Sequence, residues 1–234
     1  MKWKGANLER ISTGIVELDK LIGGYIKGGS VLITGPAGAG KTIFALQFVN
    51  SVCAAGKKAV YISVQEKRLD LIEQASIFGW DLDGYEKQGL LHFVGIFESQ
   101  MVDDYKFNSY GSEIGFSSIV ENIKGEVDAV VVDNLGILTL DMAISNFRQQ
   151  LDYLIYALSY RGCTSILTFN ERLIEKFGEV ATYSFDGVIR LFKRDSLYAD
   201  SRERVLEIIK MKNTRHPINY IIFEITEKGI RLDI

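Results

Sequence analysis

The residues most able to do chemistry lie in one octapeptide, GPAGAGKT, from Gly35 to Thr42. It fits G-x-x-x-x-G-K-[ST] at every fixed position, a match that ordinary residue usage gives by accident in about one chain in a hundred of this length. The chemistry is that of a triphosphate cradle. Gly35, Gly38 and Gly40 let the backbone curl so that successive N–H groups face β-phosphate oxygens, and the helix that follows adds its positive N-terminal end. Lys41 reaches the β- and γ-phosphates, and the Thr42 hydroxyl ligates Mg²⁺. Pro36, Ala37 and Ala39 occupy the variable positions, and Ile43 leads into the helix. The bland alternative is a glycine-rich turn with a surface lysine; it does not explain why β-branched SVLIT precedes the loop and helically spaced TIFALQFVNSV follows it.

A magnesium triphosphate needs a second acidic anchor, expected at the end of a buried strand adjacent to the first. Asp133, closing DAVVVD, meets that demand by holding the metal through water and orienting Thr42. Alone, an apolar run ending in Asp reads equally well as a strand cap.

The elements that must position these residues alternate in type. Short β-rich runs cover 30–34, 59–64, 90–97, 129–135, 164–169 and 187–192, and helical lengths cover Lys41–Ala54, Lys67–Phe78, Ser112–Ile123 and Met142–Arg161. This alternation predicts an α/β fold with a mainly parallel central sheet flanked by helices. In the last helix Ile144, Phe147, Leu151, Leu154, Ile155 and Leu158 form one apolar stripe. After about residue 185, VLEIIKMK, NYIIFEIT and GIRLDI follow one another without helices, which predicts a C-terminal antiparallel extension. The polar, aromatic stretch 98–113 is the expected mobile loop. No linker or repeat marks a domain boundary within 1–234.

Composition sets the outer limits. With 234 residues and 47% hydrophobic content, the chain can bury a large core. It lacks an 18-residue apolar run and an N-terminal signal core, so a cytoplasmic protein without membrane contact is expected. Cys53, Cys163, His92 and His216 are scattered, which argues against zinc. A net charge of −3 opposes bulk nucleic-acid coating, although eight basic residues face four acidic ones between Arg190 and Arg215. That local excess is either a phosphate-facing surface or a solvated hairpin.

Several further segments, taken in order, resemble one family. RISTGIVELDKLIGG (10–24), the phosphate loop, YISVQEKRLDLIEQASIFGWDL (61–82), FDGVIRL (185–191) and VLEIIKMKNTRH (205–216) together resemble the single-domain, archaeal KaiC-like branch of the RecA/RadA ATPases. The resemblance implies a RecA-like P-loop fold forming one ATPase domain over 1–234, with a lead-in segment at 1–29, a core at 30–192 and a β extension at 193–234. It implies ATP and Mg²⁺ as ligands and a homo-oligomeric ring, of the hexamer type, with ATP between subunits. Lys210 and Lys212 would then reach the γ-phosphate of the next subunit. The family's K-x-R motif has Lys212 in place of its arginine, so the two-pronged contact is lost unless Arg215 substitutes. The alternative is a strand whose lysines face solvent.

The family's paired glutamates are here Gln65 and Glu66. Glutamine can orient a water but cannot take its proton, so hydrolysis is expected to be slow unless Glu66 is the base. Otherwise Glu66 is an acid in the first turn of the helix starting near Lys67. Thr168 and Asn170 are candidate γ-phosphate sensors or strand caps. Residues 170–184 correspond in position to the superfamily's central-channel loops. There Glu171, Glu175, Glu179 and nearby Asp186 outnumber Arg172 and Lys176, a poor balance for DNA.

The reading is a slow Mg-ATPase, with autokinase activity compatible with the family, whose nucleotide state governs assembly or a protein partner. The alternatives are a recombinase paralogue acting on single-stranded DNA or on a recombinase, and a nucleotide-locked scaffold without useful hydrolysis.

Overall fold

A computed structural model describes residues 8–96, 116–139, 142–195 and 201–234. The expected loop at 98–113 and the start of the helix expected from Ser112 lie outside these residues.

The first β-branched run, Ser30–Gly35, is fully buried and becomes β3, after a short ribbon of β1 (Arg10–Ile11) and β2 (Tyr25–Ile26) around helix α1 (Val16–Ile22). Helix α2 (Lys41–Ala54) follows the glycine loop. Then come β4 (Ala59–Ser63), α3 (Arg68–Ser76), α4 (Leu82–Lys87) and β5 (Leu91–Gly95). Helix α5 (Phe116–Glu121), β6 (Ala129–Asp133), α6 (Ile144–Tyr160), β7 (Thr164–Asn170), α7 (Glu171–Ser184) and β8 (Gly187–Asp195) complete the alternating part. Strands β9 (Arg202–Met211), β10 (Ile221–Thr226) and β11 (Gly229–Leu232) end the chain.

The nine-stranded sheet has the order β11-β10-β9-β8-β3-β7-β6-β4-β5. From β8 to β5 every pairing is parallel, and from β8 to β11 every pairing is antiparallel. Both parts therefore follow the sequence expectation. Each sheet face carries its own core. Val31 and Ile33 point to α1–α4, and Leu32 points to α5–α7.

Three expectations are corrected. The strand carrying Asp133 is not adjacent to β3, because β7 lies between them. Two strand spacings, about 9–10 Å, therefore separate the first strand from the acid-bearing strand. In the α6 stripe Phe147, Leu151, Leu154 and Leu158 are buried, but Ile144 is 51% exposed because the helix begins there and overhangs the core. Residues 171–184, placed by resemblance among channel loops, form helix α7, whose Phe177 and Ala181 fill one turn of the second core. No helix among the described residues is long and apolar enough to cross a membrane.

Candidate functional site

Parallel strands end along one edge, and ligands in such sheets bind beyond those ends. Here the register sets Ser63 beside Asp133, Ile33 beside Thr168 and Gly35 beside Asn170. Beyond them lies a cavity of about 500 Å³.

The glycine loop forms one wall, through Ala37, Gly38, Gly40, Lys41, Thr42 and Ile43. The other three loop residues expected at the site do not line it. Ala39 is buried in the core, while Gly35 and Pro36 supply carbonyls that the loop folds around. Glycine is required at position 35, since a Cβ there would overlap the Leu191 carbonyl oxygen of β8. Gly40, at φ 108°, turns the chain into α2, whose first turn contains no acidic residue to offset its positive end. Lys41 is 9% exposed, and its Nζ donates to the carbonyls of Gly35 (2.8 Å) and Pro36 (2.9 Å). Burial pushes its ammonium below the usual lysine range, against the opposing pull of Asp133 and Glu171.

Asp133 is nearly buried and held from two sides. Tyr61 on β4 donates its hydroxyl at 2.8 Å, and Thr168 on β7 donates to the other carboxylate oxygen. Burial, then the charge of Asp133, keeps the Tyr61 phenol well above its ordinary range, so it remains a donor. This assigns one of the two sensor candidates a different contact. Thr168 holds Asp133 beneath the cavity, whereas Asn170 lines it.

Gln65 and Glu66 both line the cavity. Helix α3 begins at Arg68 with Lys67 as its cap, so Glu66 lies outside the first turn and the helix-dipole account of it does not apply. Its main chain is instead fastened to Ser63, whose Oγ accepts from Glu66 N at 3.0 Å and donates to Glu66 O at 2.5 Å. Burial raises the Glu66 carboxyl above its ordinary range, the charges of Asp133 and Asp70 add to this, and a hydrogen bond with Thr42 opposes it.

Lys210 and Lys212 do not line this cavity. Lys210 Nζ donates to the carbonyls of Thr182 (2.7 Å), Tyr183 (3.3 Å) and Phe185 (2.7 Å) at the C-terminal end of α7, and Lys212 Nζ pairs with Asp186 at 3.0 Å. Four of the eight basic residues in this cluster pair with carboxylates. Arg190 bonds Glu171 and lies 3.7 Å from Glu207, Arg194 pairs with Glu203, and Arg202 pairs with Asp195.

Other wall residues escaped the sequence reading: Gln74, Asn134, Arg204 and Ile225. Arg204 was counted only as part of a charge cluster, and Gln74 was not singled out within the 61–82 segment. Among the described residues, Gln74 Oε1 on α3 and Arg204 Nε on β9 are buried without a hydrogen-bond partner, an acceptor and a donor lining the same cavity.

A parallel sheet that presents a lysine-bearing glycine loop and a buried aspartate at one edge belongs to the P-loop class of nucleotide-binding proteins. The family described as "ATPase: KaiC" matches residues 11–233. A UPF0273 protein of Methanopyrus kandleri is 32% identical over 239 residues, covering 97% of this chain and 92% of the relative. The circadian clock oscillator protein KaiC of Prochlorococcus marinus is 29% identical over 95% of this chain, which spans 45% of that relative's length. A crystal structure of a KaiC-like protein from Pyrococcus horikoshii superposes with a TM-score of 0.76 at 28% identity, covering 97% of this chain and all of that one. The chain belongs to the KaiC family of ATPases, with a RecA-like fold.

Proposed function

We propose that the chain binds Mg-ATP in the cavity, hydrolyses it slowly, and uses nucleotide state to control its assembly into a cytoplasmic homo-oligomeric ring, of the hexamer type, that acts on a protein partner. The observation that carries this reading is the convergence of Lys41, Thr42, Glu66 and Asp133 on one cavity. In it, Lys41 exchanges its two carbonyl partners for β- and γ-phosphate oxygens while loop amides and the α2 terminus hold the rest of the polyphosphate. Gln74 Oε1 and Arg204 Nε offer the nucleotide an unmet acceptor and an unmet donor, and the acceptor suits the adenine amino group. The donor set also suits magnesium: one hydroxyl, Thr42, as a direct ligand and one carboxylate, Asp133, acting through water leave the remaining positions to phosphate oxygens and water. Bound there, the ion would neutralise charge on the phosphate oxygens.

Glu66 is the general base in this reading. Its raised carboxyl accepts a proton from the attacking water more readily than an ordinary glutamate, and the neighbouring Gln65 orients that water. Lys210 and Lys212 supply charge to the γ-phosphate of the adjoining subunit, which fits their absence from the cavity wall of their own. Hydrolysis then requires assembly.

Particle mass measured with ATP, with ADP and without nucleotide tests the reading in one experiment. ATP is expected to enlarge the particle, and Lys41→Ala to abolish both the enlargement and ATP binding. A mass distribution indifferent to ATP in the wild type would refute control of assembly by nucleotide.

A further inference from the structure

The chain beyond Lys212 is fixed by a residue from the other end of the molecule. Arg10 Nη1 donates to the carbonyls of Ile22 (3.1 Å) and Gly24 (2.6 Å), closing the lead-in turn. Its Nη2 donates to Asn213 O (3.2 Å) and Thr214 Oγ1 (2.9 Å). One planar guanidinium thus joins two segments about 200 residues apart in sequence. Asn213 has φ 54°, a left-handed conformation that a non-glycine residue keeps only when its surroundings hold it there. Thr214 Oγ1 in turn donates to Lys212 O at 3.1 Å. On the other side, Lys212 N donates to Asp186 O at 2.8 Å and its Nζ pairs with Asp186, whose second oxygen accepts from Ser30 N at the root of β3. Lys212 is therefore gripped from the sheet on one side and from Arg10 on the other.

We propose that Arg10 is a positioning residue for hydrolysis in the neighbouring subunit: it fixes the turn after Lys212 and so aims the lysine segment across the interface. This inference rests on the proposed action of Lys210 and Lys212 in trans. Arg10 does not line its own cavity, and its grip is on the segment that would complete the next one. Lysine cannot replace it, because one ammonium with three donors cannot span four acceptors that a flat fork reaches in two pairs.

The test is subunit mixing. Arg10→Ala is expected to lower kcat about ten- to a hundredfold, the effect of a displacement near 1 Å at a reacting group, with KM for ATP within about twofold. Arg10→Ala keeps a sound cavity, and Glu66→Gln, which retains Lys41 and so nucleotide-driven assembly, keeps a sound lysine segment. Mixed one to one, the two impaired variants should regain about a quarter of the wild-type rate, since random assembly in a head-to-tail ring puts an intact cavity against an intact lysine segment at that fraction of sites. Lys212→Ala mixed with Glu66→Gln is the control. Recovery in the control but none with Arg10→Ala overturns the role of Arg10. No recovery in the control overturns the trans reading itself, and the role of Arg10 with it. Thermal unfolding establishes that the variants are folded; if Arg10→Ala is not, Arg10→Lys takes its place in the same mixing. An unchanged kcat in whichever variant is used refutes the proposal.

Discussion

Replacing Glu66 with glutamine separates what the site does from what it costs. The side chain keeps its size and its anchorage on Ser63, because that anchorage is through the main chain. What disappears is the proton acceptor, and removal of a general base lowers rates by about 10² to 10⁴, or roughly 3 to 5 kcal/mol of barrier. Single-turnover hydrolysis by assembled protein at saturating ATP measures this directly. The wild-type rate should fall on the acid side as the Glu66 carboxylate takes up its proton, and the variant should show no such limb.

Stability should move the opposite way. A carboxyl whose folded value is raised stabilises the fold below its unfolded value, and that contribution is lost as pH rises through the raised value. At neutral pH the ionised Glu66 is therefore a burden on the ligand-free fold. Glu66→Gln should unfold at a higher temperature than wild type at pH 7, with the difference shrinking in acid. A variant with the wild-type single-turnover rate would remove Glu66 from catalysis. If Gln65→Glu then proved to set the acid limb, the base would belong to position 65.

Three other substitutions probe the supports of the site. Tyr61→Phe removes one of the two hydroxyls on Asp133 without changing shape, so it should cost about 1 to 2 kcal/mol in denaturant unfolding. It should also raise the magnesium concentration needed for half-maximal hydrolysis about tenfold in a metal titration. Gln74→Leu should erode the preference for ATP over GTP about tenfold in competition binding, because the buried acceptor proposed for the adenine amino group is lost. Gln47→Ala strips partners from Gly14 O and from both Ile230 N and Ile230 O, and should cost about 2 to 4 kcal/mol, read by urea unfolding.

How much of this was legible depends on the range of each interaction. The phosphate loop could be read because its chemistry is local: eight consecutive residues set their own backbone shape. The strands could be read because burial on both faces leaves continuous β-branched runs such as AVVVD. Strand order could not, and the assumption that Asp133 must end a neighbouring strand failed because pairing is set by crossover geometry rather than by sequence proximity. Helix α7 was hidden by resemblance. Its Phe177 and Ala181 carry helical spacing that could have been read directly. Arg204, Gln74 and Arg10 were invisible for a different reason: Arg10 bonds carbonyls about two hundred residues away, Gln74 and Arg204 meet one cavity from α3 and β9, and no local pattern records which distant carbonyl or cavity a polar side chain meets.

The paired basic cluster bears on the choice between the functions considered. An unpaired excess between Arg190 and Arg215 would favour a phosphate backbone. Instead Arg190, Arg194, Arg202 and Lys212 each have a carboxylate within 4 Å, and Lys210 lies against helix-end carbonyls. To bind DNA these cations would have to exchange partners already held, which weakens the net gain per phosphate. A single γ-phosphate makes a smaller demand. It needs one or two cations at one point, so in the proposed reading only Lys212 would have to leave Asp186, from a segment whose direction the Arg10-held turn sets.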